Sequence, residues 1–282
     1  MSLLANEFST KLFVCYDLSG MGEIIPLEQF LWGVAVFLKT TLVVLLLYRK
    51  NNRIYPYFFA YALVTLLHDP FLLVCYRIWG FRSPTALNLA WSTQGLVIVA
   101  RALAVVEICW HVLGIYRGIW VLVWRSFLAV AGSVFLFSWV ISRHQWQVAI
   151  LNADRGIELA LAAVLVVFVL FAHYYEIGMG PTDRFLAIGF VLFSCFSVLN
   201  NTLLERWLWG YATLWNLLGT LAFIATLLIW IWAVRKAQTK TGPVLVMLPS
   251  GAYEMLVPKI NLRLKLLNRQ LERFWHLKSE NE

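Results

Sequence analysis

Charge is scarce in this 282-residue chain: Asp, Glu, Lys and Arg make up 13% of it and apolar residues 61%, against about 25% and about 45–50% in a soluble globular domain. That balance excludes a water-soluble domain. At about 20 residues per crossing the apolar runs suit about seven spans, which leaves no room for a sizeable catalytic domain outside the bilayer. Cysteine is equally sparse. The four, Cys15, Cys75, Cys109 and Cys195, are far apart with no C-x-x-C, which excludes a disulfide framework and a structural zinc site. No G-x-S-x-G, H-E-x-x-H or phosphate-binding glycine loop is present, so no catalytic residue is assigned and an enzyme is not expected. Internal repeats are lacking, as is a basic stretch leading into an apolar core within the first 23 residues, where Lys11 stands against Glu7, Asp17 and Glu23. A cleaved signal peptide is therefore not expected, and the first span reads as an anchor.

What is present is a succession of long apolar runs. The first runs from Ile25 to Tyr48, opened by Pro26 and closed by Arg49-Lys50-Asn51-Asn52-Arg53. The second, Tyr55 to Trp79, contains His68-Asp69-Pro70, where the proline removes a backbone donor and predicts a kink near mid-bilayer. The third, Pro84 to Tyr116, carries Arg101, Glu107 and His111 and is expected to be enclosed by the others. The fourth is the short run Ser126 to Ser142, the fifth follows Asp154-Arg155 and reaches Tyr175, the sixth covers Arg184 to about Leu204, and the seventh covers Tyr211 to Val234. The seventh lacks the lysine that a retinal Schiff base needs, which disfavours a microbial-type rhodopsin.

The fold class is thus an all-α integral membrane protein, a seven-transmembrane helix bundle with an added C-terminal helix. Residues 1–24 form an extracytoplasmic segment, 25–234 the bundle, 235–258 a cytoplasmic linker and 259–282 a basic amphipathic helix. Orientation follows the Lys and Arg of the loops. With the N-terminus outside, the inner side holds Arg49, Lys50, Arg53, Arg117, Arg125 and Arg184 plus the nine basic residues from Arg235 to Lys278; the outer side holds Lys11, Arg77, Arg82, Arg143, Arg155 and Arg206. N-out and C-in is the reading. The formal net charge of +8 then belongs to a membrane face rather than to nucleic acid. In the last segment Ile260, Leu264, Leu267, Leu271 and Phe274 recur at alternating four and three residues, with Arg263, Lys265, Arg269 and Arg273 around them. Such a helix suits the anionic inner leaflet, with a short coiled coil or partner-binding helix as the alternatives.

Ionisable groups inside a span cost about 2.5–3.5 kcal/mol on insertion scales, so they face the bundle and pair. At about 1.5 Å per residue, Lys39 and Glu107 both lie roughly 14 Å from the inner end, and Asp69 and Arg101 roughly 21–22 Å. Two interhelical pairs are predicted, Lys39–Glu107 and Asp69–Arg101. Glu107 and His111, four apart on one face, suit a proton relay, though such a histidine equally well bonds a neighbouring carboxylate or carbonyl. His111 and His173 near the inner surface are too few ligands for a metal or haem, and no cofactor is assigned.

Toward the outer ends, Asn88 and Gln94 on the third span, Glu158 on the fifth, Asn200 and Asn201 on the sixth and Asn216 on the seventh stand among tryptophans. They suit an outward-facing pocket for a small organic ligand; amides that cement helices beside an interfacial tryptophan belt are the competing reading. Gly114-Ile-Tyr-Arg-Gly118 is a G-x-x-x-G and suggests a homodimer.

Arg101-Ala-Leu-Ala-Val-Val-Glu107-Ile-Cys-Trp-His111-Val-Leu, the basic loop after it, the Arg155-led fifth span and Arg184-Phe-Leu-Ala-Ile-Gly189-Phe together resemble a broad group of uncharacterised bacterial seven-span inner-membrane proteins. The resemblance covers spans 2 to 7 loosely and implies topology, not an activity. A receptor-like or sensory seven-helix protein is the leading reading, a small-solute or proton-coupled transporter the alternative and a membrane scaffold the third. Only the second span is visibly broken, whereas transporters of inverted-repeat type break helices in both halves.

Overall fold

In a computed structural model the chain is described over residues 26–80, 83–114, 116–142, 146–175, 177, 179–206, 212–235 and 264–275. Seven long helices follow one another: α1 (Pro26–Tyr48), α2 (Pro56–Trp79), α3 (Pro84–Leu113), α4 (Arg117–Ile141), α5 (Trp146–Tyr174), α6 (Pro181–Arg206) and α7 (Ala212–Val234). All seven are long and apolar enough to cross a membrane, which makes this a multi-pass membrane protein. An eighth helix, α8, spans residues 264–274. No strand occurs among the described residues.

Proline marks the starts. Pro26, Pro56, Pro84 and Pro181 each occupy the first position of a helix, where the missing N–H is an orphan anyway and the fixed φ suits the first turn. Glycine and an αL residue mark two ends: Gly80 closes α2 at φ 77°, and Lys50 turns the chain after α1 at φ 56°, which is sterically easy for glycine and uncommon for lysine.

Each helix packs on its sequence neighbour, except that α3 meets α4 only weakly, and α7 closes the ring on α1. Helix α3 also packs against α5 and α6 and is the most enclosed span, as its polar residues predict. Helix α4 is the least enclosed; it leans mainly on α5 and exposes Phe135, Leu136, Phe137 and Val140. In a bilayer those side chains meet lipid. The ends from which α2, α4 and α6 start carry Arg49, Lys50, Arg53, Arg117, Arg184 and Arg235 and are called the basic end below.

The core is built on Trp230 of α7, 1% exposed. Its ring lies 5.4 Å from Phe58, 5.9 Å from Tyr61 and 4.8 Å from Phe190 between centroids, distances at which edge-on and tilted aromatic pairs attract. Its Nε1 donates to the Leu186 carbonyl at 3.3 Å. This contact needs Gly189, because a Cβ there would stand 2.3 Å from Trp230 Nε1.

Two expected boundaries move. Helix α5 begins at Trp146, so Asp154 and Arg155 sit inside a helix of 29 residues rather than ahead of it. The helix continues through them because Asp154 finds partners inside the bundle, as described below. Helix α4 begins at Arg117 rather than near Ser126, and its added turns lie beside α8. Helix α2 runs as a helix through His68, Asp69 and Pro70.

Candidate functional site: buried polar clusters

The structure exchanges the predicted partners of the buried charges. Lys39 Nζ donates to Asp69 Oδ2 at 2.6 Å, and Arg101 pairs with Glu158 of α5. The predicted Lys39–Glu107 and Asp69–Arg101 pairs are not formed. Two physical reasons account for this. Side chains lean toward the N-terminus of their own helix, and α1 and α2 are antiparallel. Lys39, roughly 14 Å from the basic end, therefore reaches away from that end, while Asp69, roughly 20 Å from it, leans back. The other reason is a helix end: α3 stops at Leu113, which leaves Glu107 only roughly 9 Å from the basic end.

Glu107, 3% exposed, closes the start of α2. Its Oε2 accepts the Phe58 N–H at 2.8 Å and its Oε1 the Tyr57 N–H at 3.1 Å. The N-cap residue of α2 is Tyr55, which makes no side-chain cap bond. A carboxylate from another helix thus satisfies orphan amides and meets the positive end of the helix dipole. The missing Ser, Thr, Asp or Asn before Pro56 was the signal in the sequence that this helix start needed an acceptor from elsewhere.

The rest of the basic end is closed in the same manner. Asn51 Nδ2 donates to the Val234 carbonyl at 3.0 Å and Thr182 Oγ1 to the Ala233 carbonyl at 3.1 Å, so two residues outside α7 bond its last carbonyls. Tyr55 donates its hydroxyl to Asp183 Oδ1 at 2.9 Å, and burial, reinforced by that carboxylate, pushes its pKa well above the usual tyrosine range. It remains a donor. His111 packs edge-on to Tyr55 at 4.7 Å with Nδ1 3.9 Å from Asp183 Oδ1. The sequence brought forward His111 and Glu107; it missed Tyr55 and Asp183, which only the packing of α6 against α2 and α3 adds.

A second cluster lies nearer the other end. Arg101, 6% exposed, bonds Glu158 Oε1 through Nη1, which also stands 4.0 Å from Asp154 Oδ1. Gln94 Nε2 donates to Asp154 Oδ2 at 3.2 Å, and Ser197 of α6 donates to Glu158 Oε2. The Arg101 guanidinium also lies over the Phe193 ring at 4.8 Å. Asp154 and Glu158 are four apart, one face of α5, so α3, α5 and α6 meet on one arginine. Within this cluster Arg101 Nε and Asp154 Oδ1 are buried and make no hydrogen bond among the described residues. Of the residues assigned to an outer pocket, Gln94 and Glu158 belong to this cluster, Asn88 is exposed, and the side chains of Asn200, Asn201 and Asn216 lie outside the described residues. Among the described residues no three His, Cys, Asp or Glu side chains converge as a metal-ligand set.

The C-terminal helix is docked rather than free. Asn268 Oδ1 accepts the Gly118 N–H at 2.9 Å and the Ile119 N–H at 3.4 Å, capping α4, while its Nδ2 donates to Glu272 Oε1 at 2.7 Å. Leu264 is buried in the main core, and the Arg125 guanidinium stacks over Trp275 at 3.9 Å. At the G-x-x-x-G the face of Gly118 is therefore covered by α8 of the same chain. No family model matches the chain, and no curated protein or solved structure matches it either.

Proposed function

We propose that this chain is a receptor-like or sensory membrane protein, N-out and C-in in a bacterial inner membrane, whose ligand is a small organic molecule received at the end away from the basic one. The supporting observation is the Arg101 cluster: a buried arginine with two carboxylates, tied to three helices, in which one donor and one acceptor have no hydrogen-bond partner among the described residues. A ligand carrying both an acceptor and a donor would complete it and draw α3, α5 and α6 together. Asn200, Asn201 and Asn216 on this reading lie toward the entrance. The basic end, with Glu107, Asn51 and Thr182 bonded to backbone at helix ends, is the fixed half.

A transporter is the second reading, favoured by buried charge on α1, α2, α3 and α5, with Glu107, His111 and Asp69 as its proton-handling groups. A thermal-shift screen of the purified protein against small polar metabolites tests the first. A ligand that raises the melting temperature of wild type, and raises it less in Gln94→Ala and Asn201→Ala, supports a receptor. Uptake into proteoliposomes without such a ligand supports the transporter, and neither result leaves a scaffold as the function.

A further inference from the structure

Helix α8 presents three different faces, one more than an amphipathic helix needs. At about 100° per residue, Leu264, Asn268, Leu271, Glu272 and Trp275 form the side that meets the bundle: Leu264 is buried, Asn268 caps α4, a Cβ at Gly118 would touch Leu271 and Glu272, and Trp275 receives Arg125. Lys265, Arg269 and Arg273, spaced by four, form an exposed row beside it. Leu266 and Phe274, 48% and 70% exposed, point away from the bundle. The apolar stripe seen in the sequence is thus divided, with Leu264 and Leu271 on the protein and Phe274 outside.

The level at which α8 sits matters as much as its faces. It lies beside residues 118–125 of α4, a stretch with Trp120, Trp124 and Arg125 that precedes the uninterrupted apolar run from Ser126. Tryptophan and arginine at the end of a span mark the headgroup level. A helix fixed there meets protein on one side, headgroups on a second and acyl chains on a third.

We propose that docked α8 is a binding surface for anionic phospholipid, in which Lys265, Arg269 and Arg273 hold the headgroup phosphates while Leu266 and Phe274 enter the acyl boundary. The charge complementarity is direct, since the row carries three cations and the one carboxylate of α8 among the described residues, Glu272, is held by Asn268. Each cation near an anionic surface is worth roughly fivefold in binding. This inference needs the seven spans and not the receptor reading; a protein without any small-molecule ligand would still bind lipid here.

Native mass spectrometry of the full-length protein in detergent, titrated with phosphatidylglycerol or phosphatidylcholine, tests it. Wild type retains phosphatidylglycerol preferentially. In Lys265→Gln/Arg269→Gln/Arg273→Gln that retention falls by at least about tenfold while phosphatidylcholine binding is unchanged. A control, Arg49→Gln/Arg53→Gln, which removes two charges at the basic end and none from α8, keeps most of the preference. Equal retention in the triple variant, at an unchanged melting temperature, overturns the proposal. Loss of a dimer peak with lipid retention unchanged overturns it in favour of a second copy of the chain. If the triple variant unfolds, the single substitution Arg269→Gln, in the middle of the exposed row, replaces it with the same two outcomes at a roughly fivefold fall.

Discussion

The Glu107 carboxylate of α3 accepts the backbone N–H of Phe58 in the first turn of α2 at 2.8 Å. A buried acid that sequence reasoning paired with a lysine is instead the cap of a neighbouring helix. Replacing it by alanine strands the buried Phe58 amide, an unsatisfied donor costing about 1–3 kcal/mol, and the part-buried Tyr57 amide, which costs less. Glu107→Ala is therefore expected to lower stability by about 1–3 kcal/mol or somewhat more, whereas Glu107→Gln, which keeps one acceptor oxygen, loses less. Thermal unfolding in detergent of both variants checks the order; equal losses would show that the capping bonds carry no weight.

Lys39 and Asp69 form a charge pair between α1 and α2 at 2.6 Å. Removing one partner leaves a buried charge uncompensated, at about 3–5 kcal/mol, while replacing both with apolar groups of similar volume is close to neutral. Lys39→Met and Asp69→Leu should each destabilise strongly and the double variant should recover most of the loss. The same cycle between Lys39 and Glu107 is expected to be additive.

Around Arg101 the two carboxylates are unequal. Glu158 bonds the guanidinium directly and Asp154 stands 4.0 Å away with Gln94 on its other oxygen. Arg101→Met leaves both acids without their cation and is expected to be the most damaging, followed by Glu158→Leu, then Asp154→Asn. Folded yield after detergent extraction ranks them, and a larger loss from Asp154→Asn than from Glu158→Leu would contradict the geometry.

Gly118 has no room for a side chain: a Cβ would stand 2.7 Å from the Asn268 carbonyl oxygen and 3.0 Å from the Glu272 nitrogen, backbone atoms that cannot yield without moving α8. Gly118→Ala should undock that helix and, by letting it fray, speed tryptic cleavage at the already exposed Lys265, Arg269 and Arg273, while Asn268→Ala, losing a cap worth about 1 kcal/mol, should do so partly. Mass analysis of the tryptic fragments over time reads this out. Unchanged fragment rates in both variants would mean that the docked position is not held by these contacts.

Gly189 meets Trp230 as Gly118 meets α8. Gly189→Ala pushes a Cβ to 2.3 Å from the indole nitrogen, and the ring is wedged among Phe58, Tyr61 and Phe190. Overpacking of this kind costs about 1–3 kcal/mol; a double variant with Trp230→Phe should recover part of it.

The sequence determined the number and nature of the helices, because unbroken apolar runs of bilayer length allow little else and prolines at 26, 56, 84 and 181 fix where four of them begin. It also identified Lys39, Asp69, Arg101 and Glu107 as the charges that must face protein. Who pairs with whom was decided only by tertiary structure. Distance along a helix gives depth, but rotation about the axis, the lean of each side chain and the true helix ends set the partner. Three residues at the end of α3 separated Glu107 from Lys39, and eight at the start of α5 brought Asp154 inside beside Glu158. The periodicity of residues 259–282 likewise revealed one apolar stripe, yet contact with α4 divided it between protein and surroundings, since a stripe records which side chains avoid water and not what they avoid it against.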